Sequence, residues 1–272
     1  MVLEALISPI TAEQKPWETF FIGILYASIG ITLGLFIFPS HAGMIAVGLT
    51  AMASIPLIYG AIRLEEKKDI TISEERMLIK EHGRVVLFLA CLFMGFTVAF
   101  AAWYVLLPAD SAATLFSPQL ATISGINSMV TGNAFATGSV LLTIILNNLK
   151  VLAFCLLFAF FYGFGAILIL TWNASVFAVV IGATIRAGLH KSALVVPLAL
   201  LKYSIHGIPE IVAYFCAGLA GGIISIAVIR HDWNSGKFRH ILIDSVDLTV
   251  VAIVLLLIAG LLEVFVSPLV LV

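Results

Sequence analysis

The sequence predicts an all-α fold: a polytopic transmembrane helical bundle of about seven crossings, with short or re-entrant helices in the middle. Three observations carry this. The 272 residues are 62% apolar and only 11% charged, where soluble domains are nearer half apolar and a quarter charged. Mean hydropathy is +1.17. The apolar residues fall into runs of membrane length, since a helix crossing ~30 Å of hydrocarbon needs about 20 of them.

The elements follow in order. Phe20–Phe38 has the length of a span and is stopped by Pro39. Ala42–Ile62 is a second span, with Pro56 placed to kink it. Val85–Leu107 is a third and ends at Pro108. Leu149–Leu170 reads as the fourth, with Trp172 at its end as an interfacial anchor. Ile208–Ile229 and Val246–Val266 complete the long runs. Phe135–Leu146 is apolar but short, as are Ala174–Ala187 and Ser192–Leu201, the last interrupted by Pro197. Short apolar pieces are the signature of re-entrant or half-spanning helices, which survive only where protein or a watery cavity satisfies their backbone.

Lysine and arginine orient these spans. Six of them lie between Arg63 and Arg84, and three more between Arg230 and His240. Both stretches should be cytoplasmic, because basic residues accumulate on that side. Residues 108–147 carry none and should lie outside. Counting Ala174–Ala187 as a crossing gives a multi-pass protein of the cell membrane, N-terminus cytoplasmic and C-terminus outside. The chain divides into an N-terminal hairpin with its charged loop (1–84), a membrane core (85–230), and a turn with a last transmembrane helix (231–272). The first eighteen residues carry Glu4, Glu13, Lys15 and Glu18, unlike a secretory leader.

Several classes of function find no support. The net charge of −1 and the lack of a basic patch argue against nucleic acid. Cys91, Cys155 and Cys216 sit singly in apolar runs, which reads as buried thiols rather than a disulfide framework or zinc site. His206-x-x-x-Glu210 is only half of a metal-protease motif, and Gly-x-Ser-x-Gly is absent. The expectation is therefore a non-enzyme without a cofactor. Gly30-x-x-x-Gly34 and Gly218-x-x-x-Gly222 would suit either a dimer face or close packing within one bundle, and the second is the commoner use. His82, beside Glu81 in the charged stretch, reads as solvated. That stretch reads as a charged turn, or as a short cytoplasmic helix able to dock a partner. Asn173-Ala-Ser175 is formally a glycosylation acceptor, but on the wrong side of the membrane.

The polar groups within the oil are the most informative feature. Between Asp110 and Asp232 the only acidic residue is Glu210. A lone carboxylate in hydrocarbon must be paired or protonated. His206 is one turn away, and Lys150, Arg186, Lys191 and Lys202 are the available cations. The predicted topology brings Asn147, Asn148, Lys150, Arg186, Lys202, His206 and Glu210 to one depth. Such a cluster is either a structural knot of Glu210 with Arg186 or Lys202, or a site for a polar ligand or protons. "HGIPE" reads as a helix opening, with Pro209 in its first turn.

Three blocks carry a family resemblance: "IILNNLKVLAF", "GFGAILILTWNAS" and "HGIPEIVAYFCAGLAGG", in this order over residues 85–230. They resemble the stage II sporulation protein M family of integral membrane proteins. The resemblance implies a membrane scaffold, since in spore-forming bacteria the named member is similar to part of an assembly that recruits peptidoglycan-cleaving partners during engulfment. The family also includes archaeal proteins, and its motif establishes no catalytic residue. Asn147, Asn148, His206 and Glu210 carry over as family positions.

Two functional readings follow. One is a scaffold or assembly protein, embedded in the lipid bilayer, forming a homo-oligomer and meeting protein partners through 63–84 or the outer loop 108–137. The other is a transporter or channel using the cluster around Glu210 as its ligand or proton site.

Overall fold

A computed structural model describes residues 6–71, 75–132, 137–162, 165–189, 192, 194–230 and 236–270. Among them are ten α-helices and no strand. A short α1 (Pro9–Gln14) precedes α2 (Pro16–Ile37), α3 (Ala42–Thr71) and α4 (Glu75–Leu106). Two short helices follow, α5 (Ala109–Leu115) and α6 (Ser117–Gly132). Then come α7 (Thr137–Tyr162), α8 (Ala166–Gly188), α9 (Val195–Arg230) and α10 (Gly236–Phe265).

Seven of these helices, α2, α3, α4, α7, α8, α9 and α10, are long and apolar enough to cross a membrane. The protein is thus an all-α, multi-pass membrane bundle. Alternating crossings put the α3–α4, α7–α8 and α9–α10 connections at one end. The α2–α3, α4–α7 and α8–α9 connections lie at the other. Helix α9 is the hub: 78% of its apolar window is buried, against 17% for α7 and 22% for α10. Helices α7, α10 and α2 therefore face lipid over most of their surface, which accounts for their exposed Leu, Ile, Val and Phe side chains.

The bundle matches the expectation, but the register of its second half does not. The predicted fourth span, Leu149–Leu170, is split between α7 and α8. Asn147, Asn148 and Lys150 do not open a span; they stand in the middle of α7. Trp172 and Asn173 do not end one; they lie inside α8. The segment Ala174–Ala187 is the second half of a full-length helix, and the glycosylation triplet is buried there at Ser175. The stretch expected to re-enter around Pro197 is the first turn of α9, and "HGIPE" is no helix opening, because α9 runs through Pro209. The physical reason is the same throughout. Polar residues that look like helix ends on a hydropathy scale sit within helices, Asn148 buried and Asn147 and Lys150 exposed, while the α7–α8 turn is built from apolar residues. At that turn a Cβ on Gly165 would come within 2.4 Å of the Phe158 carbonyl oxygen, so only glycine lets the chain fold back so closely.

The described residues of the charged stretch 63–84 are helical rather than loop. Helices α3 and α4 continue into it and enclose a buried ion cluster. Lys68 Nζ lies 2.6 Å from Glu13, 2.7 Å from Glu65 and 3.1 Å from Glu81. His82 is buried, with Nδ1 2.7 Å from Glu65 Oε2. The solvated His82 expected from sequence is thus corrected: it is buried against Glu65, while Glu13 of α1 reaches Lys68 beside it. Burial, opposed by Lys68, holds the Glu13 carboxyl above its ordinary value.

Glycines set the helix crossings. A Cβ on Gly95 would sit 2.2 Å from the Phe20 carbonyl oxygen, so α2 and α4 touch backbone to backbone. The Thr19 hydroxyl adds a 2.9 Å hydrogen bond to the Phe88 carbonyl. Gly30 and Gly34 press on Ala46 and Ala42 of α3, which places this small-residue stripe inside the bundle.

Candidate functional site

A cavity of about 420 Å³ lies between α7, α8, α9 and α10, with Phe93 of α4 and Ile123 of α6 also on its walls. The central helix supplies most of its chemistry. Tyr203, His206, Gly207, Glu210, Ile211 and Tyr214 recur at helical spacing and form one face of α9. Gly207 is required by the wall opposite, because a Cβ there would lie 2.6 Å from the Phe177 ring. Phe177 in turn meets Tyr203 and His206 edge to face, with ring centroids 6.2 and 6.5 Å away.

The other helices add polar side chains. Helix α7 contributes Asn147 and Asn148, α8 contributes Asn173, and α10 contributes Glu263. The Asn147 amide donates to Asn148 Oδ1 at 3.4 Å. Asn173 donates to the Ile169 carbonyl one turn back, at 2.8 Å, which leaves its amide oxygen for the cavity. Glu210 Oε1 accepts from the Tyr214 hydroxyl at 2.7 Å. His206 Nδ1 is 2.8 Å from the Ser267 hydroxyl, in the turn after α10, and this pins the ring across the α9–α10 seam.

Of the residues predicted for the site, the structure gathers Asn147, Asn148, His206 and Glu210 on this cavity. It places three elsewhere. Lys150 is exposed on α7. Lys202 is half-buried and one position off the cavity stripe. Arg186 donates to the Tyr104 carbonyl at 3.0 Å and to the Leu107 carbonyl, with its guanidinium 5.8 Å from the Tyr104 ring centroid. It therefore caps the C-terminal end of α4, where a cation suits the free carbonyls and the helix dipole. The expected pairing of Glu210 with Arg186 or Lys202 is corrected to the Tyr214 hydrogen bond. Lys191 lies outside the described residues.

Sequence reasoning missed Glu263, Tyr214, Tyr203 and Asn173 as cavity residues. A signal existed for Glu263, the second carboxylate inside an apolar helix. Its partner in space is far away in sequence, and it reads there as a marker of the span's end.

The chemistry of the walls is one-sided. Among the described residues, two carboxylates, three asparagines, a histidine and two tyrosine side chains line the space, and no lysine or arginine does. Carboxylates at membrane depth must be protonated or balanced by a cation. A helical bundle of this kind defines a class, the polytopic integral membrane proteins. The family described as stage II sporulation protein M matches residues 85–268, and the chain belongs to it. Every cavity-lining residue lies inside the matched stretch. No curated protein and no solved structure shows significant similarity to the chain.

Proposed function

We propose that this member of the family is a non-enzymatic carrier or channel of the cell membrane, which admits a small polar ligand to the Glu210–Glu263 cavity. The observation that supports it is a 420 Å³ space with two carboxylates and, among the described residues, no lysine or arginine on its walls. Ligand pockets usually measure about 300–1,000 Å³, and ionisable groups inside membranes mark pathways by default. The basic residues of 63–84 support a cytoplasmic N-terminus, and with seven crossings that orientation would have the C-terminus and the cavity mouth outside.

The test is aqueous access. In a Cys91→Ser background, with Cys155 and Cys216 buried at 0% and 5% exposure, Asn147→Cys should react with a charged thiosulfonate added from outside. Complete protection in both orientations of reconstituted vesicles would sink this reading.

A second reading, a scaffold, has its own support. Helix α3 has 30 residues, ~45 Å of helix against a ~30 Å core, and the exposed Arg63 and Lys80 stand on the α3–α4 hairpin. Reversing both charges should then abolish co-purification of a partner from native membranes, while cavity substitutions leave it intact.

A further inference from the structure

We infer that the ligand of this cavity is a small organic cation, a protonated or quaternary amine, held electrostatically by Glu210 and Glu263. The inference rests on the cavity being a ligand site and names the class of ligand.

Charge comes first. Glu210 has one protein partner, the Tyr214 hydroxyl, which is neutral. Glu263 has none among the described residues. With no lysine or arginine among the described residues on the walls, these carboxylates are either protonated or balanced by a positive charge that arrives with the ligand. Unanswered polar groups come second. His206 is 8% exposed and uses only Nδ1, on Ser267, so Nε2 has no protein partner among the described residues. Asn148 is 6% exposed, and its amide N–H groups find no protein acceptor there either. Neither atom is sealed within protein: His206 Nε2 is open to an N–H from an entering ammonium, whereas the Asn148 N–H groups need an acceptor elsewhere.

Size and wall character decide between kinds of cation. The volume of about 420 Å³ exceeds the ~30 Å³ share of one water molecule more than tenfold, which suits a molecule rather than a bare ion. Phe177, Tyr203 and Tyr214 line the space, and an ammonium over the face of such a ring is attracted by its quadrupole. A multivalent metal is poorly served: among the described residues no three His, Cys, Asp or Glu side chains gather within reach of one metal ion. The amide oxygens of Asn147 and Asn173 would take N–H donors from the ligand.

The experiment uses the full chain in lipid nanodiscs, titrated calorimetrically with n-butylammonium, tetraethylammonium, n-butanol, acetate and sodium chloride. One ammonium probe should bind saturably, and n-butanol and acetate should not. Glu263→Gln should weaken that binding at least tenfold while leaving the unfolding midpoint unchanged, because its carboxylate makes no protein hydrogen bond among the described residues. Glu210→Gln should weaken it as well. Absence of saturable ammonium binding, binding unaffected by both variants, or equal competition by sodium would each overturn the inference. Binding of n-butanol or acetate that is blocked by Asn147→Trp would overturn it too, yet leave the cavity standing as a ligand site. An inaccessible Asn147→Cys, with no probe bound, removes both readings.

Discussion

The hydroxyl of Tyr214 donates to Glu210 Oε1 across 2.7 Å, one helical turn apart on the most buried helix of the bundle. Tyr214 is itself 1% exposed. The hydrogen bond holds the carboxylate to its own helix and leaves its other oxygen for the cavity. Tyr214→Phe keeps the ring and removes the donor. It should lower stability by about 1 kcal/mol, the net worth of a typical hydrogen bond, or nearer 0.6 kcal/mol by the average in membrane helices. Unfolding titrations in mixed micelles measure it. Tyr214→Ala, which also empties the ring's space, should cost about 3–5 kcal/mol.

Two glycine substitutions should separate helix packing from helix propensity. Gly95→Ala drives a methyl into the Phe20 carbonyl oxygen at 2.2 Å and must push α2 away from α4. A loss of roughly 1–3 kcal/mol or more is expected, as for other overpacked cores. Nothing lies within 4 Å of a Cβ at Gly48. Gly48→Ala should be neutral or stabilising by up to about 1 kcal/mol, from propensity alone. Thermal midpoints that fall equally for both would refute the crossing described here.

Arg186 serves α4 through the planar fork of its guanidinium, on the Tyr104 and Leu107 carbonyls. Lysine keeps the charge but not the fork. Arg186→Lys should retain only part of the stability that Arg186→Ala loses, about 1.5–3 kcal/mol for hydrogen bonds from a charged donor. Neither change should alter ammonium binding in the cavity. Calorimetry on both variants checks this, and a cavity defect in Arg186→Lys would return Arg186 to the site.

At the other end of the bundle, Lys68 holds together three carboxylates from three helices. Lys68→Met should cost about 3–5 kcal/mol, the usual penalty for stranding partly buried charge. Glu13 gives a pH signature. Burial raises its carboxyl above 4.5 in the folded state, so the fold binds this proton more tightly than the unfolded chain does. Its contribution to stability therefore falls as pH rises from 4.5 through the folded value. Glu13→Gln should gain on the unsubstituted protein over that interval, in unfolding midpoints measured at successive pH. A constant difference, or a gain on acidification, would contradict the burial of Glu13.

The sequence makes the class and the number of crossings plain because hydropathy records what faces lipid, and α2, α7 and α10 face lipid. It is mute about what faces protein. Asn147, Asn148 and Asn173 interrupt the apolar pattern as a helix end does, so α7 and α8 read as displaced by half a helix. The real turn between them is apolar, and only the closeness of Gly165 to Phe158 betrays it. The candidate site was half legible. His206 and Glu210 announce themselves as ionisable groups in oil, and Asn147 and Asn148 follow from the motif. Glu263 does not, because its link to Glu210 depends on how α10 lies along α9. The expected role of Arg186 failed for a related reason: sequence counts charges, but not the backbone carbonyls that also compete for them.

The Gly23–Gly95 crossing bears on where the family-matched stretch begins, at Val85. A chain trimmed to that stretch would keep every wall of the cavity. It would also carry a bare notch along α4, with the Phe88 carbonyl at its edge and no Thr19 hydroxyl to cover it. Such a notch fits one smooth, glycine-faced helix and little else. The front helices can thus be regarded as a detachable insert: supplied on a separate polypeptide, residues 1–84 should find this groove again and reseat.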